Sequence, residues 1–297
     1  MGTRVHVVVQ TTDGGRPGAE LLDLAEDCVR VAEQRWSRFL PDSELSRINR
    51  LAGRVTVVTT QTFDLVDLAL TARWETNGSF DPTVGSALVH AGYDDDFDAI
   101  AARPEPFGSM LGSFSGPDQI VLDRRACTVL LAPGTVLDLG GIAKGHVADG
   151  TTDELLKNGA SSCCVNIGGD IRVAGPGPVD GVWRIEVAPA GVVVRLSAGA
   201  VCTSSTTKRR WLSLDGPAHH LIDPLTGRSR VGGPQSVTAI ASTATAAEVI
   251  TKWMMAGGRP GRFEATGFSS FDDGTTHAHP GLEPFLDPAG TDGQKSS

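Results

Sequence analysis

What this sequence lacks removes whole classes of protein. It has no Cys-x-x-Cys pair. Its five cysteines, Cys28, Cys127, Cys163, Cys164 and Cys202, are odd in number and irregularly spaced. That excludes a disulfide framework or a cysteine zinc site and fits a reducing compartment. No uninterrupted apolar stretch is long enough to span a bilayer. The opening Met1-Gly2-Thr3-Arg4 runs straight into the strand-like Val5-His6-Val7-Val8-Val9, with no apolar signal region. The expectation is a cytoplasmic protein without membrane insertion. Positive charge is also in deficit: 26 Lys plus Arg stand against 35 Asp plus Glu, a formal charge of −9. Such a surface repels polyanions, so nucleic acid is not an expected partner. Neither Gly-x-x-x-x-Gly-Lys-Ser/Thr nor Gly-x-Gly-x-x-Gly occurs, which argues against a nicotinamide dehydrogenase of the Rossmann type. No repeat of solenoid period is visible.

What is present is an ordinary globular balance, 40% apolar and 21% charged over 297 residues, enough for a sizeable core. Leu21, Leu24, Ala25, Cys28, Val29, Ala32, Trp36 and Phe39 recur at helical spacing, with charged residues on the opposite face. A short helix capped by Ser43 or Asp42 follows, then a strand over 54–58. A helix capped by Thr60 stops at Asn77-Gly78. From about residue 119 the pattern turns to short β-branched runs. These predict a hairpin over 120–131 and strands at 163–167, 171–174, 183–187, 192–197, 209–214 and 236–241. Two helices are interleaved with them, one from about Gly141 to Asn158 and one over 246–256. Helices early and antiparallel hairpins late predict an α+β fold. A single domain over 1–271 is expected, and the aperiodic stretch 272–297, rich in Asp, Gly, Pro, Thr and Ser, reads as a flexible tail.

Four stretches are too polar and glycine-rich to be core alone: Phe80-Asp81-Pro82-Thr83-Val84-Gly85, Leu137 to Gly145, Asn166-Ile167-Gly168-Gly169-Asp170, and His220 to Gly227. In the second, paired glycines lead from strand to helix, where backbone N–H groups and the helix dipole favour an anion. Lys144 falls in the first helical turn, against the dipole, which a phosphate or carboxylate partner would explain. A tight packing turn is the other reading of those glycines. Gly168-Gly169 reads as a plain turn or as backbone contact with a flat ligand. His220 beside Asp223-Pro224 is either structural or a proton-transfer group.

Taken in order with Ser37 to Asn49, Thr203-Ser204 and Ala247-Glu248, these stretches resemble the ApbE-type FAD:protein FMN transferases over about residues 1–260. The resemblance implies an α+β fold with an FAD cleft between two halves. It also implies a reaction in which a threonine hydroxyl of an acceptor flavoprotein attacks the FMN-side phosphorus of FAD, with Mg²⁺ assisting and AMP leaving. It places Met1, Phe39, Ser79, Phe80, Asp81, Asp138, Lys144, Gly168, Gly169, Asp170 and Ile222 at the FAD. His220 becomes the general base, with Lys144 alongside it in catalysis. Phe39 stands where relatives often carry tyrosine.

At the metal the match is imperfect. The family element Ala-Asp-x-x-x-Thr, whose Asp and Thr bind Mg²⁺, reads here Ala247-Glu248-Val249-Ile250-Thr251-Lys252. In one reading the backbone near Gly141, Glu248 and the neighbouring Thr251 still hold the ion. In the other, the Lys252 ammonium takes over the ion's charge. An ordinary i,i+4 pair on a solvated face would look the same. The alternative functions that follow are an FAD pyrophosphatase or an FAD-binding protein with weakened or lost transfer.

Overall fold

The computed structural model describes residues 2–109, 120–188 and 190–287. The chain forms two compact units, each assembled from separated stretches. The first comprises Met1–Gly2, Arg30–Ala143 and Ser205–Gly232, and the second Thr3–Val29, Lys144–Ser204 and Gly233–Ser297. Helices and antiparallel sheets coexist, the α+β class expected. Among the described residues, no helix is long and apolar enough to cross a membrane.

A seven-stranded sheet organises the second unit, in the spatial order Val5–Thr11, Ala160–Ile167, Asp170–Ala174, Gly199–Ser205, Ser236–Ala241, Thr266–Ser270, Thr276–Ala278. Val5 faces Ile167, Cys163 faces Ala174, Asp170 faces Cys202 and Val237 faces Ser269, all in antiparallel register. All six residues of Ser236–Ala241 are buried, and the hydroxyl of Thr238 is satisfied by that of Thr203 at 2.9 Å. Phe268 lies at 2% exposure among Val173, Trp183, Val194, Val201, Ile240 and Leu282. Burial of a phenylalanine side chain on this scale contributes about 1.5–3 kcal/mol. The adjacent Cys163 and Cys164 lie on one strand, Cys163 wholly buried, and burial pushes the Cys164 thiol up to about 11.

The stretch after residue 272 differs from the flexible tail expected of it. Over 272–287 it supplies the edge strand Thr276–Ala278, buries Leu282 at 3% exposure and pairs Asp287 with Arg184 at 2.7 Å. Its anchors are single residues separated by turns, which leaves no period to read. Residues 288–297 lie outside the described residues.

Two helices of this unit, Ala143–Lys157 and Ala244–Met255, are joined end to side. Asp149 on the first accepts from the N–H groups of Ala244 and Thr245, each at 2.8 Å, and from the Thr245 hydroxyl at 2.6 Å. A carboxylate thus fills the N-terminus of the second helix, where the dipole favours it. At Gly145 the first helix comes so close that a Cβ would overlap the Ala244 carbonyl.

The first unit holds the helices Glu44–Arg50, Thr60–Glu75, Gly85–His90 and Phe97–Ala101. It also holds a three-stranded sheet in the order Thr56–Val57, Thr128–Leu131, Ile120–Asp123, and two short hairpins within 210–229. Ser43 caps the first of these helices. The cap of Thr60–Glu75 is Thr59 rather than Thr60: Thr59 has the extended backbone a cap requires, φ −68 and ψ 155, and its hydroxyl accepts from Thr62 N–H. The helix ends as expected, with Asn77 and Gly78 at positive φ. Leu88, Ala91, Tyr93, Ile100, Trp211 and Ala218 form the core of the hairpin region.

The helix Ala143–Lys157 supplies its own control experiment. Gly150 on it has open space around a would-be Cβ, unlike Gly145. Gly150→Ala is expected to raise stability by up to about 1 kcal/mol through helix propensity. Gly145→Ala is expected to lower it by about 1–3 kcal/mol, because overpacking against backbone outweighs that gain. Urea unfolding midpoints at constant m-value check both.

Candidate functional site

In the first unit the motif Ser37–Asn49 mostly builds a frame. Ser37 Oγ accepts from Phe39 N–H at 3.3 Å, and the Ser46 hydroxyl donates to the Arg38 carbonyl at 3.2 Å. Asn49 grips the backbone of Leu137 in both directions, donating to its carbonyl at 2.9 Å and accepting from its N–H at 2.8 Å. That grip, and a bond from Asp138 N–H to the Pro82 carbonyl at 2.8 Å, set the Asp138 carboxylate. One of its oxygens accepts from Gly140 N–H at 2.8 Å, and the other meets Arg38 Nε at 2.7 Å.

Arg38 is the residue the sequence reading passed over. Its guanidinium lies 4.2 Å from the Phe39 ring centre and 4.6 Å from that of Tyr93, a cation–π stack. Tyr93 in turn stacks on Trp211 at 5.3 Å. Arg38 Nη2 is buried with no hydrogen-bond partner among the described residues. A buried donor left this way costs about 1–3 kcal/mol until an acceptor completes it. The only local signal was an arginine beside an aromatic just past a helix end.

The other residues expected at the FAD divide between frame and surface. Phe80 and Asp81 are buried at 4% and 6% exposure. The Asp81 carboxylate is committed to the Thr83 N–H and hydroxyl and to Arg73 Nε at 2.9 Å. Ser79 and Ile222 are half-buried, and Met1 lies outside the described residues.

The two adjacent histidines separate cleanly. His219 Nδ1 accepts from Leu221 N–H at 3.3 Å, so its Nε2–H donates to the Arg230 carbonyl at 3.0 Å. Burial holds its pKa below the usual histidine range. His219 is therefore a neutral structural residue. His220 is half-buried between the hairpins, followed by a turn in which Asp223 accepts from Leu225 N–H at 3.0 Å.

In the second unit, Gly168 and Gly169 both have positive φ, 65° and 101°. They form the two-residue turn that pairs Ile167 with Asp170. This turn starts the next strand at Asp170 and aims a buried carboxylate at Lys144, whose Nζ lies 3.1 Å from Asp170 Oδ2. Lys144 also donates to Glu248 Oε1, while Glu248 Oε2 accepts from Gly145 N–H at 2.8 Å. Lys252 Nζ stands 3.5 Å from Glu248 Oε1. The anion expected at this helix start is thus a side chain of the protein. Glu248 is wholly buried, and burial alone would raise its pKa. The Lys144 and Lys252 ammoniums outweigh that and hold it below the ordinary carboxylate range. Burial, and then the Glu248 charge, push Asp170 up. Burial likewise lowers Lys252.

These residues do not suit Mg²⁺, which demands oxygen ligands in near-octahedral array at about 2.0–2.1 Å. The Glu248 oxygens face ammonium and amide protons. The Thr251 hydroxyl donates to the Glu248 carbonyl and shares a second bond with Ser204, both at 2.6 Å. Among the described residues no three His, Cys, Asp or Glu side chains are grouped to hold a metal. Gly141 belongs to the first unit and is half-buried. Glu248 and Thr251, expected as ligands, are engaged by the chain's own groups, and Lys252, at the family's threonine position, directs its cation to the carboxylate.

Comparison with known proteins gives these features their setting. The family model described as ApbE family matches residues 1–265. The FAD:protein FMN transferase of Klebsiella pneumoniae is 28% identical over 219 residues, covering 71% of this chain and 67% of its own. That of Vibrio cholerae is 28% identical over 270 residues, covering 86% and 78%. Among solved structures, the ApbE protein of Thermotoga maritima matches with a TM-score of 0.80, and the flavin transferase ApbE of Vibrio cholerae with 0.75. Each is 24% identical and covers 96% of both chains, a likeness that shows the fold. With residues 1–265 matched by its model, the chain belongs to the ApbE family.

Proposed function

We propose that this chain is an FAD:protein FMN transferase, moving FMN from FAD to a threonine hydroxyl of an acceptor flavoprotein. The observation that carries this is the family match over residues 1–265, whose relatives bear that name. In the step, the threonine Oγ bonds to the FMN-side phosphorus of FAD. The bond from that phosphorus to the bridging oxygen breaks, its electron pair leaves on AMP, and the hydroxyl proton passes to the imidazole of His220. His220 is allotted the proton because its neighbour His219 is held neutral by the Leu221 N–H and the Arg230 carbonyl. The work in such a reaction is mostly positioning and neutralising charge on the phosphates.

In the first unit, Phe39 offers an aromatic face to a flat ring and Arg38 Nη2 an unfilled donor. Ser79 and Ile222 are half-buried side chains, and Phe80, Asp81 and Asp138 hold the frame. In the second unit, Lys144 brings positive charge, positioned by Asp170 and Glu248. All five cysteines are free thiols, and we place the reaction in the cytoplasm.

Purified protein incubated with FAD and a threonine-bearing acceptor peptide is expected to release AMP in step with covalent flavin on the peptide. AMP without labelled peptide would make the chain an FAD pyrophosphatase, and neither product would leave it a flavin-binding protein. His220→Ala is expected to slow transfer by about 10²–10⁴-fold, the usual loss of a general base, while the Kd for FAD stays within about twofold. Undiminished transfer by that variant would remove His220 from the chemistry.

A further inference from the structure

The second unit concentrates charge in a form that bears on how FAD is held. Lys144, Asp170, Glu248 and Lys252 come from three separate segments and meet around one carboxylate, which Lys144 contacts directly and Lys252 approaches at 3.5 Å. The formal charges are two positive and two negative, so the cluster is electrically closed. Exposure is not shared equally. The Glu248 side chain has 0% and Asp170 5%, whereas Lys144 and Lys252 keep 15% and 16%. An approaching group therefore meets the lysine side chains before the carboxylates.

The negative groups are turned inward. Glu248 Oε1 faces both ammoniums, Oε2 takes the Gly145 N–H, and Asp170 Oδ2 takes Lys144. A divalent cation entering here would have to expel an ammonium tethered one helical turn away from Glu248 and leave it buried beside a like charge, which is costly. An anion meets no such obstacle at Lys252, whose ammonium carries three donors and stands 3.5 Å from one carboxylate oxygen. A phosphate contact at the rim would add to the cluster without dismantling it.

We propose that Lys252 is a built-in replacement for a divalent cation: its ammonium, with that of Lys144, presents positive charge to the phosphates of FAD, and the chain binds FAD without a metal ion. This rests on the FAD reading above. Glu248 and Asp170 act as positioning residues that hold the two ammoniums at the rim. The i,i+4 spacing on the helix Ala244–Met255 keeps Lys252 on the same face as Glu248.

Two titrations test the proposal. Calorimetry with Mg²⁺ alone on the wild-type protein is expected to show no saturable binding. Flavin fluorescence is expected to give the same Kd for FAD, within about twofold, in EDTA and in millimolar Mg²⁺. Lys252→Met is expected to weaken FAD binding at least tenfold in EDTA. Lys252→Thr is expected to gain saturable Mg²⁺ binding, and with it an FAD affinity at least tenfold tighter in Mg²⁺ than in EDTA.

Stoichiometric Mg²⁺ binding by the wild type would overturn the proposal, as would a tenfold Mg²⁺ effect on its FAD affinity. So would Lys252→Met binding FAD like the wild type, or Lys252→Thr gaining no ion. If no form binds FAD, the transferase reading fails. Calorimetry with Mg²⁺ still decides whether Lys252 excludes the ion: heat from Lys252→Thr alone supports the exclusion, and any other pattern refutes it. Should a variant not fold, the wild-type titrations decide.

Discussion

Burying the carboxylate of Glu248 is the constraint on which the second unit is organised. An ionised carboxylate taken from water costs several kcal/mol unless opposite charge and hydrogen-bond donors replace its hydration. Here the replacements come from two directions: the helix Ala143–Lys157 brings the Lys144 ammonium and the Gly145 N–H, and the Glu248 helix itself brings Lys252. Meeting that need fixes much else. The two helices must approach until no Cβ fits at Gly145, and Asp149 must cap the second helix where it crosses the first. Asp170 must begin its strand at the level of Lys144, which the turn at Gly168-Gly169 achieves.

Such a cluster is a poor investment if stability is its only return. Buried ion pairs are often matched or bettered by well-packed apolar residues of similar volume. What four charged side chains provide and apolar ones cannot is two cations held by buried carboxylates on side chains that stay partly exposed. The exposure pattern, mostly on the lysines and little on the carboxylates, matches that use.

The first unit shows the complementary lesson, that most residues of a recognisable motif are frame. Ser37, Ser46 and Asn49 bind backbone, Asp81 is sealed into its own turn, and His219 is locked between Leu221 and Arg230. The frame leaves a few groups incomplete. Arg38, lying against two neighbouring rings and ion-paired on one side, keeps one buried donor unfilled. A motif read as a string weights all these positions equally; hydrogen bonding ranks them.

By itself the sequence determined the elements and their kind. Helical spacing over Leu21–Trp36, the stop at Asn77-Gly78, the hairpin around Asp123 and the Gly168-Gly169 turn are local consequences of side-chain period and backbone freedom. It also offered an anion at the start of the helix carrying Lys144 as one of two readings, beside a tight packing turn, because the helix dipole and unpaired N–H groups are properties of the helix alone. It could not say which anion. Lys144 and Glu248 are 104 positions apart, and Asn49 and Leu137 are 88 apart, so no local pattern joins them. The order over 272–287 was not legible for the same reason: Leu282 and Asp287 are anchored by distant partners. Only the tertiary structure decided that Lys252 turns its charge onto a buried carboxylate rather than into solvent, because that choice depends on what the fold packs against its helix.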